Sequence, residues 1–415
     1  MQESSDFKIF YNLRPVSTLI ILLGALTAFA PMSIDMYLPA LPSLSIEFSA
    51  DPGHVQLSLA SFFLGLAIGQ AFYGPLADRF GRRKPLLAGL ALFVITSAGC
   101  ALTTSLNTLI VLRFFQALGA CSGQVIARAV VRDLFGPHEA VRVFSLLILV
   151  MGVSPVLAPL VGGQILAWFE WRFIYWLLMV VGAVGLIASA WWLPETHRAE
   201  NIRPLALSNI ITVYSHLLKD RAFMGYALTG GMALGGMFAY IAGSPFVFID
   251  LFKVPETRFG FFFGANAFGL ITGAQLNRKL GRRFSSDEVI RGILVIQAVT
   301  GLLLIAGTWS GLTGLWGTAI LLFVYVSSVG CMSPNTTAMA LAAHGENAGS
   351  ASALIGSLQF TLAATASTLV GATNNGTALP MAGLIAVCGI SAFVLYRLMV
   401  CPVIRQNAAA RHAAG

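Results

Sequence analysis

Asp35 and Arg113 are the two residues of this chain whose type and placement carry chemistry. Of seventeen acidic residues, only Asp35 falls clearly inside a long apolar run, in Ser33-Ile-Asp35-Met-Tyr-Leu-Pro39-Ala-Leu-Pro42. A charge in hydrocarbon costs at least a few kcal/mol on insertion scales unless it is paired or wet. Desolvation disfavours the charged form of a carboxyl group, which makes such a group a natural proton carrier. Arg113 is the matching buried cation. Counted inward at ~1.5 Å per residue, it lies roughly 8 Å below the boundary of its apolar run, at the depth of Asp35. The two are expected to meet or to share a water, so that protonation of Asp35 releases Arg113. The plainer alternatives are an Asp permanently paired or wet at a helix end, and an Arg held statically by backbone carbonyls.

The elements that position them follow from composition. Hydrophobic residues make up 57% of the 415 and charged residues only 10%, too few to cover a soluble surface, so the solvent is lipid. Runs long enough to cross about 30 Å of hydrocarbon as helices lie at about 16–38, 54–76, 85–104, 108–130, 141–167 and 172–193, and again at about 222–243, 258–277, 288–308, 314–340, 349–372 and 378–400. Leu76–Arg83 read LADRFGRR and, 200 positions later, Leu276–Arg283 read LNRKLGRR. A repeat of half the chain, marked at the same loop, predicts an all-α membrane protein of twelve transmembrane helices in two pseudo-symmetric six-helix bundles, the architecture of a transporter. The bundles are expected at 1–193 and 222–415, with a cytoplasmic linker over 194–221 and a short cytoplasmic tail. Only Pro39 to Gly53 and Ser244 to Thr257 make extracellular connections longer than a few residues.

The net charge of +8 reports topology rather than a nucleic-acid partner. With the amino terminus in the cytoplasm, all of the 25 Lys and Arg except Arg172, Lys253, Arg258 and Arg113 fall in or beside cytoplasmic segments, which puts both termini there. Five cysteines without CxxC spacing indicate neither a disulfide frame nor a metal site. Arg14, an apolar run and Ala28-Phe29-Ala30 imitate a cleaved signal peptide, a reading rejected because cleavage would leave eleven spans. No GxxxxGK[ST], HExxH or GxSxG occurs, so a membrane-embedded enzyme or sensor is the remote alternative and an ion gradient the energy source.

Two further patterns stand out. Gly74, Asp78, Arg79, Gly81 and Arg82 concentrate charge and turn residues in the loop after the second span, and the plain reading of its arginines is a topological anchor. Gly152, Pro155, Pro159, Gly162 and Gly163 leave a smooth, bent face on the fifth span. Polar and aromatic candidates for a central binding cavity are Tyr37, Gln124, Phe238, Tyr240, Asn266, Asn335 and Gln359, each of which packing alone also explains.

On these residues the chain resembles the major facilitator superfamily, and within it the drug:proton antiporters of the bicyclomycin and chloramphenicol resistance group. Gly74 to Lys84 is similar to the family's loop motif. Arg113-Phe-Phe-Gln116-Ala-Leu-Gly119 is similar to its helix 4 motif, with Ala117 for the usual Gly, and the fifth-span pattern to its antiporter motif, with Ala158 where the wider superfamily has Gly. Asp35 with Met-Tyr-Leu-Pro-Ala-Leu-Pro looks like its helix 1 drug-exporter motif. The resemblance implies a monomer in the bacterial inner membrane that exports small amphipathic, drug-like compounds against protons, without a cofactor. Export or symport of a metabolite such as an amino acid is the alternative. It also implies that Asp78 faces the amino terminus of helix 11 and latches the cytoplasmic side, whereas Arg278 holds that place in the second copy.

Overall fold

The computed structural model describes residues 16–196, 207–344 and 348–406. Twelve helices among them are long and apolar enough to cross a membrane: α1 Ser17–Glu47, α2 Pro52–Phe80, α3 Arg83–Leu102, α4 Leu106–Leu134, α5 Arg142–Trp168, α6 Arg172–Trp192, α7 Arg221–Leu251, α8 Glu256–Leu280, α9 Ser286–Trp309, α10 Gly314–Leu341, α11 Ala348–Ala372 and α12 Leu379–Gln406. The protein is a multi-pass membrane protein. A short helix, Leu207–Lys219, precedes α7. The rejected signal-peptide cleavage at Ala28-Phe29-Ala30 falls within α1, where Phe29 and Ala30 are buried.

Local chemistry sets the helix starts. The Asp51 side chain accepts from the His54 amide ahead of α2, and Pro52 takes the first turn, where its missing N–H costs nothing. Asp220 caps α7 through the Ala222 and Phe223 amides, and Ser285 with Glu288 forms a capping box on α9. The apolar faces that remain exposed, such as Ile95, Val184, Phe268 and Val299, suit a lipid surround.

α1 is not one straight helix. It runs regularly to Asp35, breaks over Met36 and Tyr37, passes a 3₁₀ turn at Leu38–Ala40 and resumes as Leu41–Glu47. Pro39 and Pro42 bring no amide hydrogen to this stretch, so a continuous ladder is impossible there. The segment from Pro39 that the sequence reads as an external connection is therefore largely helical, and it packs onto the end of the bundle. Glu47 bonds Arg172 Nη1 at 2.6 Å and the Trp171 indole, while Ser43 donates to Glu256 Oε1 at 3.1 Å.

α2 packs on α4 and on α11, and α5 on α1 and on α8, so α2–α11 and α5–α8 are the most extensive contacts joining the first six helices to the last six. Small residues permit them. A Cβ on Gly53 would collide with the Gly371 carbonyl, and one on Gly163 would come within 2.7 Å of the Glu256 carbonyl. Arg82, Arg83, Lys84, Arg282 and Arg283 make one end of the molecule its basic end. Contacts between the halves are tight at the opposite end and midway, where Ser357 Oγ donates to the Ala67 carbonyl. Nearer the basic end, a Cβ on Gly74 of α2 or on Gly349 of α11 would meet nothing within 4 Å.

Candidate functional site

The break in α1 puts Asp35 at the last position of its regular segment, where the carbonyl end of the helix dipole opposes negative charge. Asp35 is 4% exposed and stands in the wall of a cavity of about 230 Å³ between the two sets of six helices. The rest of the wall is chiefly apolar: Ile34 and Leu66 from the first half, Met151 and Pro155 of α5, and Met237, Phe263 and Phe360 from the second. Among the wall residues Asp35 is the single carboxylate, and no cation pairs with it among the described residues. A mostly apolar wall with a few placed polar groups is the kind of lining that drug-sized ligands use.

Arg113 does not meet Asp35. It is fully buried, and its Nη1 donates to the Ser33 carbonyl at 3.0 Å and to Gln116 Oε1 at 2.8 Å. Its guanidinium lies 4.1 Å from the ring centre of Phe62, 4.6 Å from that of Tyr37 and 5.9 Å from that of Tyr175. The expectation of a direct pair is corrected by the break in α1. Ser33 is among the last residues before the helix stops, so its carbonyl lacks the partner that a continuing helix would supply, and Arg113 takes that place. The cation thus caps the helix end on which Asp35 sits. Among the described residues Arg113 Nε and Nη2 have no hydrogen-bond partner, and they lie among aromatic faces, whose negative quadrupoles substitute for acceptors. Gln116 is fixed in turn by donating to Ser97 Oγ at 2.8 Å.

Of the sequence candidates for binding, Gln124, Phe238, Tyr240 and Asn266 are in the cavity wall. Asn266 Nδ2 donates to the Tyr240 hydroxyl at 2.8 Å, and Gln124 Oε1 accepts from Gln70 at 2.9 Å. Phe238 meets Phe63 edge-on at 4.7 Å and Phe360 at 6.0 Å. Tyr37 is elsewhere, completely buried beneath Arg113 and bonded to Ser58 at 2.7 Å. Asn335 is tied to Asn277 at 2.6 Å, and Gln359 is outside the wall while its neighbour Phe360 is in it. Sequence reasoning missed Phe263 and Met237. Phe263 is one helical turn from Phe259 and stacks on Tyr240 at 5.7 Å, so helical spacing from Asn266 at i+3 was the available signal.

The fifth-span glycines make close approaches. Gly162 lies against the Met36 carbonyl at the break in α1, Gly163 against α8, and Pro155 enters the wall. In the loop after α2, Arg82 bonds Asp78 at 2.5 Å and Asp133 at 2.8 Å, while Glu195 accepts from the Arg82 and Arg83 amides at 2.7 and 3.1 Å. Burial works against the Arg82 charge, but the Asp133 and Asp78 carboxylates more than offset it and hold the guanidinium above its ordinary range. Gly81 turns with φ +82° and leaves room for Glu195, while Arg79 is exposed. Asp78 therefore bonds a residue of its own loop in this state rather than the start of α11, and residues 345–347 before that helix lie outside the described ones. Asp133 and Glu195 were not foreseen as partners. Glu195 follows Pro194 directly after α6, where the sequence reads only as the start of a polar linker.

Comparisons with known proteins agree with this architecture. The chain is 38% identical over 376 residues, 90% of its length and 92% of the relative's, to the uncharacterized MFS-type transporter YdgK of Bacillus subtilis. It is 32% identical over 377 residues, 91% of this chain and 94% of the other, to the bicyclomycin resistance protein homolog of Haemophilus influenzae. Among solved structures, a D-xylose-proton symporter superposes with a TM-score of 0.71 at 14% identity, covering 93% of this chain and 98% of that one, a likeness of fold alone. The family model described as Major Facilitator Superfamily matches residues 23–368, and the chain is a member of that superfamily, a transporter rather than an enzyme.

Proposed function

We propose that this chain exports small amphipathic, drug-like molecules in exchange for protons, by alternating access in the bacterial inner membrane, with both termini and the basic end in the cytoplasm. The observation that carries the reading is Asp35, a carboxyl without a cation partner among the described residues, in the wall of a cavity that is otherwise chiefly apolar. A polyhydroxylated metabolite would need many hydrogen-bond partners, and a wall with few of them favours amphipathic cargo. The name of the Haemophilus relative, a bicyclomycin resistance protein homolog, points the same way.

In this reading residues 1–193 and 222–415 rock as two bundles joined by 194–221. Cargo enters from the basic end and contacts Gln124, Phe238, Tyr240 and Asn266. A proton taken by Asp35 from the far side removes a charge at the carbonyl end of the α1 segment. Arg113, bonded to the Ser33 carbonyl two residues away, feels that change through the same helix end. Gly152, Pro155, Pro159, Gly162 and Gly163 keep α5 close to α1 and α8 and exclude water that would leak protons. Each charge moved is worth about 2.3 kcal/mol per 100 mV. The protein works as a monomer without a cofactor.

Drug accumulation in a pump-deficient strain tests this, together with proton release from inverted vesicles on adding drug. Asp35→Asn is expected to reach the membrane and to abolish uphill efflux. Full proton-driven efflux by that variant would remove Asp35 from the mechanism.

A further inference from the structure

α4 carries another cation that the export mechanism above does not use. Arg128 is one helical turn from Gln124 and therefore on the face that lines the cavity. Its Nε donates to the Gln124 carbonyl at 3.0 Å, which turns the guanidinium back along the helix toward the cavity. Ala127 and Ala129 beside it are buried, yet Arg128 is exposed. A side chain exposed on this face looks into the space between the cavity and the basic end. No carboxylate pairs with it among the described residues, and its terminal nitrogens have no protein acceptor there. Asp78 and Asp133, the acids nearest in sequence on α2 and α4, are engaged by Arg82. The exposed Arg132 and Arg142 add like charge on the same side, and Glu139 sits at the far start of the helix that continues as α5.

The approach to the cavity thus carries a fixed, unpaired positive charge at its entry, and the wall beyond it carries one acid, Asp35, with an apolar and aromatic stretch between them. We infer that Arg128 is an anion subsite of the export path, and that the path accepts zwitterionic amphipaths, a cationic group directed to Asp35 and an anionic group to Arg128. This rests on the reading of the cavity as the export site. A simple cation entering from the basic end meets repulsion at Arg128, whereas a zwitterion with an apolar body is attracted at both ends.

A matched pair of probes tests it: a rhodamine bearing a free benzoate, which is zwitterionic near neutral pH, and its methyl ester, a cation. Binding of each to the purified full-length protein is followed by fluorescence anisotropy. Arg128→Gln is expected to weaken the acid about tenfold, ~1.4 kcal/mol, and to leave the ester unchanged or tighter, with Arg128→Lys recovering most of the loss. A parallel fall for acid and ester, or no change for either, overturns the subsite. Wild-type protein that binds the ester but not the acid also overturns it while the cavity reading stands. Wild-type protein that binds neither overturns both.

Discussion

The two copies of the charged loop, Leu76–Arg83 after α2 and Leu276–Arg283 after α8, share a sequence pattern but not a structure. In the first, Arg82 is buried between Asp78 and Asp133, Glu195 receives two loop amides, and Gly81 turns with φ +82°. In the second, Gly281 has φ −63° and Arg278, Lys279, Arg282 and Arg283 are all exposed. The neighbours explain the difference. α4 carries Asp133 in its last turn and α6 is followed by Glu195, whereas α10 leads to His344, which bonds Asp220, and the last described residues of α12 are Arg405 and Gln406. The polar ties of the second half lie elsewhere, with Asp287 accepting from Tyr226 and Tyr396 at 2.8 Å each. An inherited pattern keeps the loop basic in both halves. Whether it becomes a joint between helices depends on acids supplied from outside it.

The largest effect that separates the copies is expected at their equivalent arginines. Arg82→Ala removes the guanidinium that neutralises Asp78 and Asp133, whose side chains are 57% and 21% exposed. That exposure lets water take up part of the loss, so the cost should be about 1–2 kcal/mol rather than the 3–5 of a fully buried pair. Arg282→Ala should stay within about 0.5 kcal/mol, as for a surface site. Thermal unfolding of the purified variants measures both, and equal losses would erase the distinction between the copies.

Glu195→Gln should have a smaller effect. Its two carboxylate oxygens accept from the Arg82 and Arg83 amides at the start of α3, where the helix dipole favours an anion. The amide keeps one acceptor and loses the charge, for an expected cost of about 0.5–1 kcal/mol. If Glu195 and Arg82 belong to one network, the double variant will cost less than the sum of the two single ones. Strict additivity would show that Glu195 only caps α3.

The contrast also marks how much could be seen in the sequence. The twelve spans were legible because apolar runs of membrane length have no other use, and their middles match the helices closely. Their ends were not, since α2 continues past about residue 76 to Phe80 as a helix that projects its charges beyond the apolar run. That Asp35 lies within a span was legible from its isolation among apolar residues, but its place in the cavity wall was not. Its separation from Arg113 was not, because equal depth says nothing of direction, and the Ser33 carbonyl became available only through the break in α1. Gln124, Phe238, Tyr240 and Asn266 were found by polarity and position, but Tyr37 met the same criteria and is packed beneath Arg113. Partners distant in sequence, such as Asp133 and Glu195 for Arg82, need the fold before they can be named.

The smallest expected effect bears on whether the asymmetry of the loops has a conformational use. Asp78 is bonded to Arg82 here, and at the basic ends of α2 and α11 a Cβ on Gly74 or Gly349 would meet nothing within 4 Å. When those ends close, the positive end of the α11 dipole offers the Asp78 carboxylate a second partner, whereas Arg278 offers α5 none of that kind. Asp78→Asn should therefore favour the form open at the basic end by about 0.3–1 kcal/mol, the usual worth of a charge at a helix terminus. Since 1.4 kcal/mol is tenfold in population, the shift is roughly two- to fivefold. Distances between spin labels on the basic ends of α2 and α11 would resolve it as a change in the fractions of two populations. Arg278→Asn should leave those fractions unchanged, its role being the topology of the loop. Equal shifts in both variants, or none in Asp78→Asn, would mean that the first copy stabilises its own half and does not latch it to the other.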